Sequence, residues 1–283
     1  MSQIKADLLK ARRKDQGMTQ KQLAKVSGVS YSTLTKLEQG AIESPSITLV
    51  SDLANALGCG VQDLVVAERM ELAPNDNIEF IYFDVGGVLV RNIDVSLHNF
   101  AEAIHRSDHA VKGIFHEYGE VGARGNMTVE ELKILMLLRL NVSLSGESRD
   151  AVLSRAWIDD MEPIPASHQL AKDVSQHHKV GLLTNVFRGY YPDFFHRGLV
   201  PNLKYKAVVK SCDVGFVKPE PAMYDVATQA ARTEPDKILL IDDSKVNVKA
   251  ARDFGWHAQH FDEHRPRESV NQIVRDYFSL DDK

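Results

Sequence analysis

The sequence is poor in cysteine, because its 283 residues contain only Cys59 and Cys212. Two cysteines cannot build the disulfide framework of a small secreted protein or the common four-ligand zinc site. The composition, 43% hydrophobic and 26% charged, also excludes a disordered chain. We therefore expect a folded protein of a reducing compartment. Its length suits two domains, since domains usually span roughly 100–200 residues.

Long hydrophobic runs are missing as well. No stretch of the sequence approaches the roughly 18–20 apolar residues that a membrane-spanning helix needs. The N-terminus lacks the apolar segment of a signal peptide. These two absences predict a cytoplasmic protein that has no membrane partner.

The net charge of −5 argues against nucleic acid as a partner only while the chain is taken as a whole. Residues 1–40 contain eight Lys and Arg against three Asp and Glu, whereas residues 71–283 contain 25 against 32. We call residues 1–67 the head and residues 79–283 the body. A basic head on an acidic body indicates two functions.

In the head, helical spacing of apolar residues recurs between turn signals. Thr19, Ser30 and Ser46 stand where helix N-caps are expected, and Gly28 interrupts the pattern. We predict a first helix beginning near Ile4, further helices over residues 19–26, 30–38 and 46–57, and a last one near residues 61–66. The polar segment 68–78 is predicted to be a linker.

In the body, continuous apolar runs end in polar residues. Residues 80–83 precede Asp84, residues 180–183 precede Thr184, and residues 238–241 precede Asp242. A fourth strand is predicted near residues 206–209, and helices over residues 165–177, 220–232 and 247–254. Alternating strands and helices predict an α/β doubly wound parallel sheet, whose ligands bind beyond the carboxyl ends of the strands. Residues 93–160 have helical periodicity and no clear strand.

The head resembles the Cro/lambda-repressor-like helix-turn-helix family over residues 4–67. A short helix, a glycine turn and a second short helix have the spacing of that motif. The matching residues are Met18-Thr19-Gln20, Leu23-Ala24, Gly28-Val29-Ser30, Leu34, Leu37 to Gly40, Pro45-Ser46 and Leu53 to Leu57.

This resemblance implies an all-α domain that binds double-stranded DNA. Its second helix would enter the major groove with Ser30, Tyr31, Ser32 and Lys36 near the base edges. Gln20 would contact a phosphate or a flanking base. The basic residues at 12–14 would add sequence-independent affinity, although a solvated helix face is the alternative reading. Family members usually bind paired half-sites as dimers, so a homodimer is implied.

The body resembles the haloacid dehalogenase (HAD) superfamily, which carries four motifs in order on a Rossmannoid sheet. The first follows strand residues 80–83 as Asp84-Val85-Gly86-Gly87, and the second is Thr184-Asn185. The third contains Lys218 before Pro219, and the fourth is Asp242-Asp243-Ser244. Each motif alone is weak evidence, and it is their order and separation that make the resemblance specific.

The resemblance assigns roles to these residues. Asp84 would attack phosphorus and form an aspartyl-phosphate. Asp84, Asp242, Asp243 and the carbonyl of Gly86 would bind Mg²⁺, a hard cation that prefers oxygen ligands. Thr184 and Lys218 would stabilise the transferring phosphoryl group. Gly86, Gly87 and Asn185 complete the predicted substrate-binding residues.

One position departs from the family pattern. Phosphatases of the superfamily usually carry a second Asp two residues after the nucleophile, where it acts as general acid, and this chain has Gly86. The backbone carbonyl still suits a metal, but the proton donor is missing. Candidate replacements are Asp94, His98 and Glu120.

Residues 93–165 are predicted to form a small helical cap inserted into a core of residues 79–92 and 166–283. We therefore expect a DNA-binding protein whose body is a Mg²⁺-dependent phosphatase of a small phosphorylated metabolite. The alternative is a transcriptional regulator whose body senses such a metabolite without consuming it. A third alternative is chemistry at a carbon centre, as in dehalogenases, which also lack the second Asp.

Overall fold

The computed structural model describes residues 3–4, 6–42, 45–61, 64–66, 72–91, 93–154 and 157–279. The chain divides into two compact units, Met1–Met70 and Glu71–Lys283. The described parts of the chain contain no helix with the length and apolar character needed to cross a bilayer.

The described residues of the head form four helices and one small sheet. Thr19, Ser30 and Ser46 each cap a helix, as the sequence predicts, and Thr19 forms a full capping box with Gln22. Gly28 has φ +71°, the left-handed conformation that ends a helix and is least costly for glycine. The elements are β1 (Gln3–Ile4), α1 (Ala6–Asp15), α2 (Gln20–Ser27), α3 (Tyr31–Glu38), α4 (Ile47–Ala56) and β2 (Val65–Val66).

Two predictions for the ends of the head are wrong. The chain is extended at Gln3–Ile4, where a first helix was expected to begin, and at Val65–Val66, where a last helix was expected. The two segments pair antiparallel, with Gln3 opposite Val66. Val65 and Val66 are β-branched, and pairing favours the extended form for such residues. Residues 62–63 and 67–71, the latter including the start of the predicted linker, lie outside the described residues.

The body is built on a five-stranded parallel sheet in the order β7-β6-β3-β8-β9. The central strands are mostly apolar because both of their faces are buried. Its strands are β3 (Phe80–Phe83), β6 (Lys179–Thr184), β7 (Ala207–Lys210), β8 (Ile238–Asp242) and β9 (His257–His260), while β4 (Val90–Arg91) and β5 (Glu162–Pro163) form a separate antiparallel pair.

Helices connect the strands of the body. They are α5 (Ile93–Ala103), α6 (Asp108–Ala123), α7 (Val129–Arg139), α8 (Gly146–Ser154), α9 (Pro165–Val174), α10 (Tyr190–His196), α11 (Ser211–Val214), α12 (Pro221–Ala231), α13 (Lys245–Asp253) and α14 (Pro266–Phe278). Short 3₁₀ helices lie at Trp157–Asp160 and Pro235–Lys237. The predicted strands and the three predicted helices of the sheet region are present, and β9, α10, α11 and α14 are additional.

The segment between β4 and β5 contains α5 to α8 and has its own hydrophobic cluster. Leu97, Leu132, Met136 and Trp157 are buried in that cluster. Thr128 caps α7 in a capping box with Glu131, which fixes where the helix begins. The helices that the periodicity of residues 93–160 predicts are therefore present. The antiparallel pair that bounds the segment was not predicted.

Candidate functional site

Three carboxylates meet at the carboxyl edge of the sheet. Asp84 directly follows β3, Asp242 ends β8, and Asp243 comes next. The two strands are neighbours, with Phe83 opposite Ile241, so their ends lie side by side. One oxygen from each carboxylate lies within 4.8 Å of the others. The sheet topology therefore gathers residues from two distant motifs into one acidic centre, by which we mean Asp84, Asp242 and Asp243.

Lys218 lies inside this centre. Its Nζ is 2.8 Å from Asp84 Oδ2 and 2.6 Å from Asp242 Oδ2, and the residue is 4% exposed. Asn185 fixes the backbone of Lys218 through two hydrogen bonds. Its Oδ1 accepts from Lys218 N at 2.9 Å, and its Nδ2 donates to Lys218 O at 3.0 Å. The second and third motifs are thus joined by a two-bond amide clamp.

The electrostatics of the centre favour an additional cation. Burial raises the pKa of Asp84 to about 7, Asp242 and Asp243 add to this rise, and Lys218 opposes it. Burial and the neighbouring Asp242 raise the pKa of Asp243 to about 6. Burial disfavours the charge of Lys218, but the adjoining carboxylates hold its pKa above the usual value. When all three carboxylates are ionised, the one ammonium of Lys218 leaves two negative charges uncompensated, and a bound cation would favour that ionised state.

The first-motif loop lies directly against the side chain of Asp243. Gly87 has φ +71°, and a Cβ placed there would lie 2.3 Å from Asp243 Oδ2. Only glycine therefore allows Asp243 to approach this loop. Asp242 has both oxygens occupied, by Lys218 on one side and by Ser244 N and Asn247 Nδ2 on the other. Oxygen donors with two uncompensated charges fit a hard divalent cation such as Mg²⁺.

Thr184 and Gly86 complete the predicted residues at this edge. Thr184 ends β6 and is buried. Gly86 is exposed, and a Cβ at this position would meet nothing within 4 Å. The structure therefore brings the four predicted motifs to one edge of the sheet. It places the side chain of Asn185 against the backbone of Lys218, so a direct contact of Asn185 with substrate stays a prediction.

An ion-pair network that the sequence did not reveal links the helical segment to the Lys218 loop. Arg124, which follows α6, donates to Glu220 Oε1 at 2.6 Å and to Gly215 O at 3.1 Å. Glu220 Oε2 accepts from Val217 N at 3.0 Å, directly before Lys218. No spacing rule connects residues 124 and 220, so only the folded chain reveals this pair.

The three candidate replacements for the general acid are each engaged elsewhere. Asp94 pairs with Lys112 at 2.8 Å, and His98 Nδ1 lies 2.9 Å from Asp108. Glu120 pairs with Arg124 at 2.7 Å. These contacts bind α5 and α6 to each other and to the Arg124 network. The assignment of a substitute proton donor therefore stays a prediction.

In the head, α3 presents part of the predicted DNA-contacting set to solvent. Tyr31, Ser32 and Lys36 are exposed or partly exposed, and Tyr31 retains 48% of its accessible surface. Ser30 is exposed too, but its Oγ caps the helix by accepting from Thr33 N at 3.1 Å. Gln20 donates to Glu38 at 2.8 Å, so its amide is partly committed inside the head.

The expectation that Arg13 supplies free positive charge is wrong. Its guanidinium forms a two-bond pair with Glu38, at 2.6 and 2.9 Å, and only 8% of the residue is exposed. The hydrogen bonds that Arg13 donates to Glu38 raise the pKa of Arg13. Burial opposes the charge of Glu38, but bonds from Arg13 and Gln20 lower its pKa overall. Arg12 and Lys14 remain exposed.

Models of known families match both the head and the body of the chain. A family model described as haloacid dehalogenase-like hydrolase matches residues 78–255. The chain belongs to this family. A helix-turn-helix family model matches residues 9–64, so this HAD-like hydrolase carries a helix-turn-helix domain at its head.

Curated relatives share only part of their length with this HAD-like chain. Mouse bifunctional epoxide hydrolase 2 is 26% identical over 104 residues, which cover 37% of this chain and 14% of the relative. Mouse acyl-CoA dehydrogenase family member 10 is 24% identical over 204 residues, covering 68% and 18%. The chain thus spans less than a fifth of either relative.

Solved structures share the fold. A HAD family enzyme of Bacteroides thetaiotaomicron, in complex with magnesium and inorganic phosphate, has a TM-score of 0.52 at 20% identity, covering 65% of this chain and 94% of that one. A predicted HAD-like hydrolase of Porphyromonas gingivalis reaches 0.55 at 20% identity, covering 70% and 98%. L-2-haloacid dehalogenase of Xanthobacter autotrophicus reaches 0.51 at 17% identity, covering 65% and 77%.

Proposed function

We propose that the body is a Mg²⁺-dependent phosphatase of a small phosphomonoester and that the head binds double-stranded DNA as a homodimer. The observation that carries the catalytic part is the acidic centre itself. Asp84 stands at a strand end with its carboxylate against Lys218, and two further carboxylates lie within 4.8 Å. The magnesium and phosphate in the Bacteroides thetaiotaomicron neighbour support the same reading.

In this proposal Asp84 is the nucleophile. One of its oxygens forms a bond to phosphorus while the bond from phosphorus to the alcohol oxygen breaks, which leaves an aspartyl-phosphate. Water then attacks phosphorus, and the bond to Asp84 breaks with release of orthophosphate. The departing alcohol must gain a proton, and Gly86 cannot supply one. Substrates with good leaving groups should therefore react faster.

The remaining residues bind and orient. Lys218, fixed by Asn185, would neutralise part of the charge on the phosphoryl oxygens, and Thr184 would donate a hydrogen bond to them. Backbone groups of Gly86 and Gly87 would line the phosphoryl site. Asp84, Asp243, Asp242 and the carbonyl of Gly86 would bind Mg²⁺, which when bound supplies the positive charge that lets a carboxylate approach a phosphate.

The test of the catalytic proposal is phosphate release. Wild type and Asp84→Asn, each with MgCl₂ or with EDTA, are incubated with a panel of sugar phosphates, acyl phosphates and p-nitrophenyl phosphate. We expect turnover only in the wild type with Mg²⁺. Thermal melts of both proteins confirm that the variant is folded. An absence of Mg²⁺-dependent release across the whole panel would refute the phosphatase.

Gly86 favours a second candidate function, a regulator whose body senses a phosphorylated metabolite. A site that keeps its phosphate-binding residues but lacks the proton donor binds better than it turns over. In that case a phosphorylated compound would change DNA affinity while its ³¹P NMR signal stays constant. Growth of an orthophosphate signal during the same incubation would count against the sensor.

A further inference from the structure

The helical segment between β4 and β5 is bound to the sheet region at the C-terminal end of α6. Ala123 O accepts from Ser211 Oγ at 2.6 Å, and the same hydroxyl oxygen accepts from Val186 N at 2.9 Å. A Cβ at Gly122 would overlap the ring of Phe187, so the helix and this ring are in close contact. The end of α6 is therefore a fixed point from which a side chain can be directed.

Arg124 follows this point and bridges the two ends of the Lys218 loop, residues 215–220. Its Nη1 donates to Gly215 O at 3.1 Å, and its Nη2 donates to Glu220 Oε1 at 2.6 Å. A single exposed ion pair contributes little, but the Arg124 side chain is only 28% exposed and binds a carbonyl and a carboxylate at once. The planar guanidinium gives these bonds fixed directions.

Glu220 passes this restraint to the backbone beside the ammonium. Its Oε2 accepts from Val217 N at 3.0 Å, while its N donates to Val217 O at 2.8 Å. These two bonds close the chain around Lys218, whose own N and O are bound by Asn185. The backbone that carries the ammonium is thus held from two sides, by the second motif and by the helical segment.

We propose that Arg124 is a positioning residue, which sets the place of Lys218 in the acidic centre through Glu220. The helical segment then contributes to the site by orienting the ammonium. The proposal deepens the proposed function, and its effect on turnover rests on the assignment of Lys218 to the phosphoryl group. Its effect on the position of Lys218 does not depend on that assignment.

Chemical labelling of lysines tests the position of Lys218 without a substrate. Lys218 is 4% exposed, so an amine reagent such as acetic anhydride reaches it only when the loop opens locally. In the full chain, Arg124→Met should raise the labelling rate of Lys218 at least tenfold, measured by mass spectrometry of its peptide. Lys133, which is 2% exposed in the helical segment, is the internal reference, and its rate should stay unchanged.

Arg139→Met is the matched control. Arg139 pairs with Glu117 at 2.9 Å, and the two side chains are about half exposed. The substitution removes an arginine–glutamate pair that joins α7 to α6 instead of joining α6 to the Lys218 loop. Labelling of Lys218 should therefore match that of the wild type.

A double-mutant cycle tests whether Arg124 acts through Glu220. Glu220→Ala should also raise the labelling rate of Lys218. In the double variant with Arg124→Met, the increase should be smaller than the product of the two single increases, because both substitutions break the same contact.

Turnover gives the functional readout. With MgCl₂ and p-nitrophenyl phosphate, Arg124→Met should lower kcat/KM at least tenfold, whereas Arg139→Met should leave it unchanged. If the wild type itself releases no phosphate, the proposed function fails, and the labelling of Lys218 still decides the role of Arg124.

Three results would overturn the proposal. The first is unchanged labelling of Lys218 in a folded Arg124→Met protein. The second is equal acceleration at Lys133 and Lys218, which would show a general loss of stability. The third is a full product of the two effects in the double variant. Arg124→Lys, which keeps the charge and loses the fork, replaces Arg124→Met in these tests if that variant does not fold.

Discussion

Single residues set the chemistry of the acidic centre. The amide of Asn185 is complementary to one peptide unit, and it binds both the N–H and the carbonyl of Lys218. The ammonium is thereby held between Asp84 and Asp242. The identities of these residues could be predicted from the sequence because most of them follow an apolar strand. The clamp could not be predicted, because it joins loops 33 residues apart.

Replacing Gly86 tests whether a proton donor is what the site lacks. The position is exposed and a Cβ there would meet no atom within 4 Å, so Gly86→Asp should be accommodated. Turnover of an alkyl phosphate should rise by at least about tenfold, since general acid catalysis contributes about 10²–10⁴-fold. Turnover of p-nitrophenyl phosphate should change little, because its leaving group needs no proton.

Gly86→Ala is the control for this gain, because it adds the Cβ without the carboxyl group. Its rates on both substrates should match those of the wild type. Equal acceleration of both substrates by Gly86→Asp, or none on the alkyl ester with the fold intact, would contradict the assignment.

The buried imidazole of His168 should make the stability of the body depend on pH. Burial lowers its pKa to about 4, Lys172 adds to this, and bonds to the carbonyls of Leu89 and Leu199 only partly oppose it. The unfolded chain, with an ordinary pKa near 6.5, binds the proton more readily, so the free energy of unfolding should fall as pH drops from about 6.5 to 4. This residue alone should account for a loss of about 3 kcal/mol.

Urea unfolding of the wild type and His168→Gln at pH 7 and pH 4.5 measures this effect. The variant should lose less stability between the two pH values, because it has no group to protonate there. A parallel fall in both proteins would show that other groups control the acid response.

At the scale of elements, predictions succeeded where one segment determines its own structure. The helix caps at Thr19, Ser30 and Ser46 and the buried strands β3, β6 and β8 are local signals. The failures among the strands depend on pairing between distant segments. Gln3–Ile4 becomes a strand only against Val65–Val66, and β9 is a polar edge strand whose sequence His257–His260 carries little apolar pattern.

The helices of the head are joined by a buried ion pair, which yields a stability prediction. Arg13→Met leaves Glu38 buried without its main partner, so the head should lose about 3 kcal/mol. The double variant Arg13→Met with Glu38→Leu should recover most of this loss. Arg12→Met is the control, and because Arg12 is exposed it should cost about 0.5 kcal/mol or less.

Hydrogen exchange resolves individual amides, so it can follow the stability of the head within the full chain. Amides of α3, including those of Leu34 and Leu37, should lose protection in Arg13→Met and regain it in the double variant. Amides of β3 in the body serve as an internal reference. Unchanged protection of α3 in Arg13→Met would show that the pair contributes nothing to the head.

Charge is distributed unevenly over the whole molecule, so the head and the body suit different kinds of partner. The body gathers carboxylates around one lysine, and such a centre repels polyanions unless a cation is bound. The head has an excess of basic residues within its first 40 positions. One of these, Arg13, is neutralised internally, so fewer of them are available to DNA than the sequence suggests. DNA affinity should therefore depend on a few exposed side chains of the head.

Lys36 gives the sharpest test of that dependence. It lies in the last turn of α3, so Lys36→Ala should leave the fold intact and weaken binding to a selected DNA duplex. Loss of one phosphate contact should reduce the slope of log affinity against log salt by about 1, whereas loss of a base contact should relax sequence preference. Lys249→Ala, which removes an equally charged, exposed residue of the body, should alter neither quantity. An equal effect of both substitutions would assign the affinity to overall charge instead of to α3.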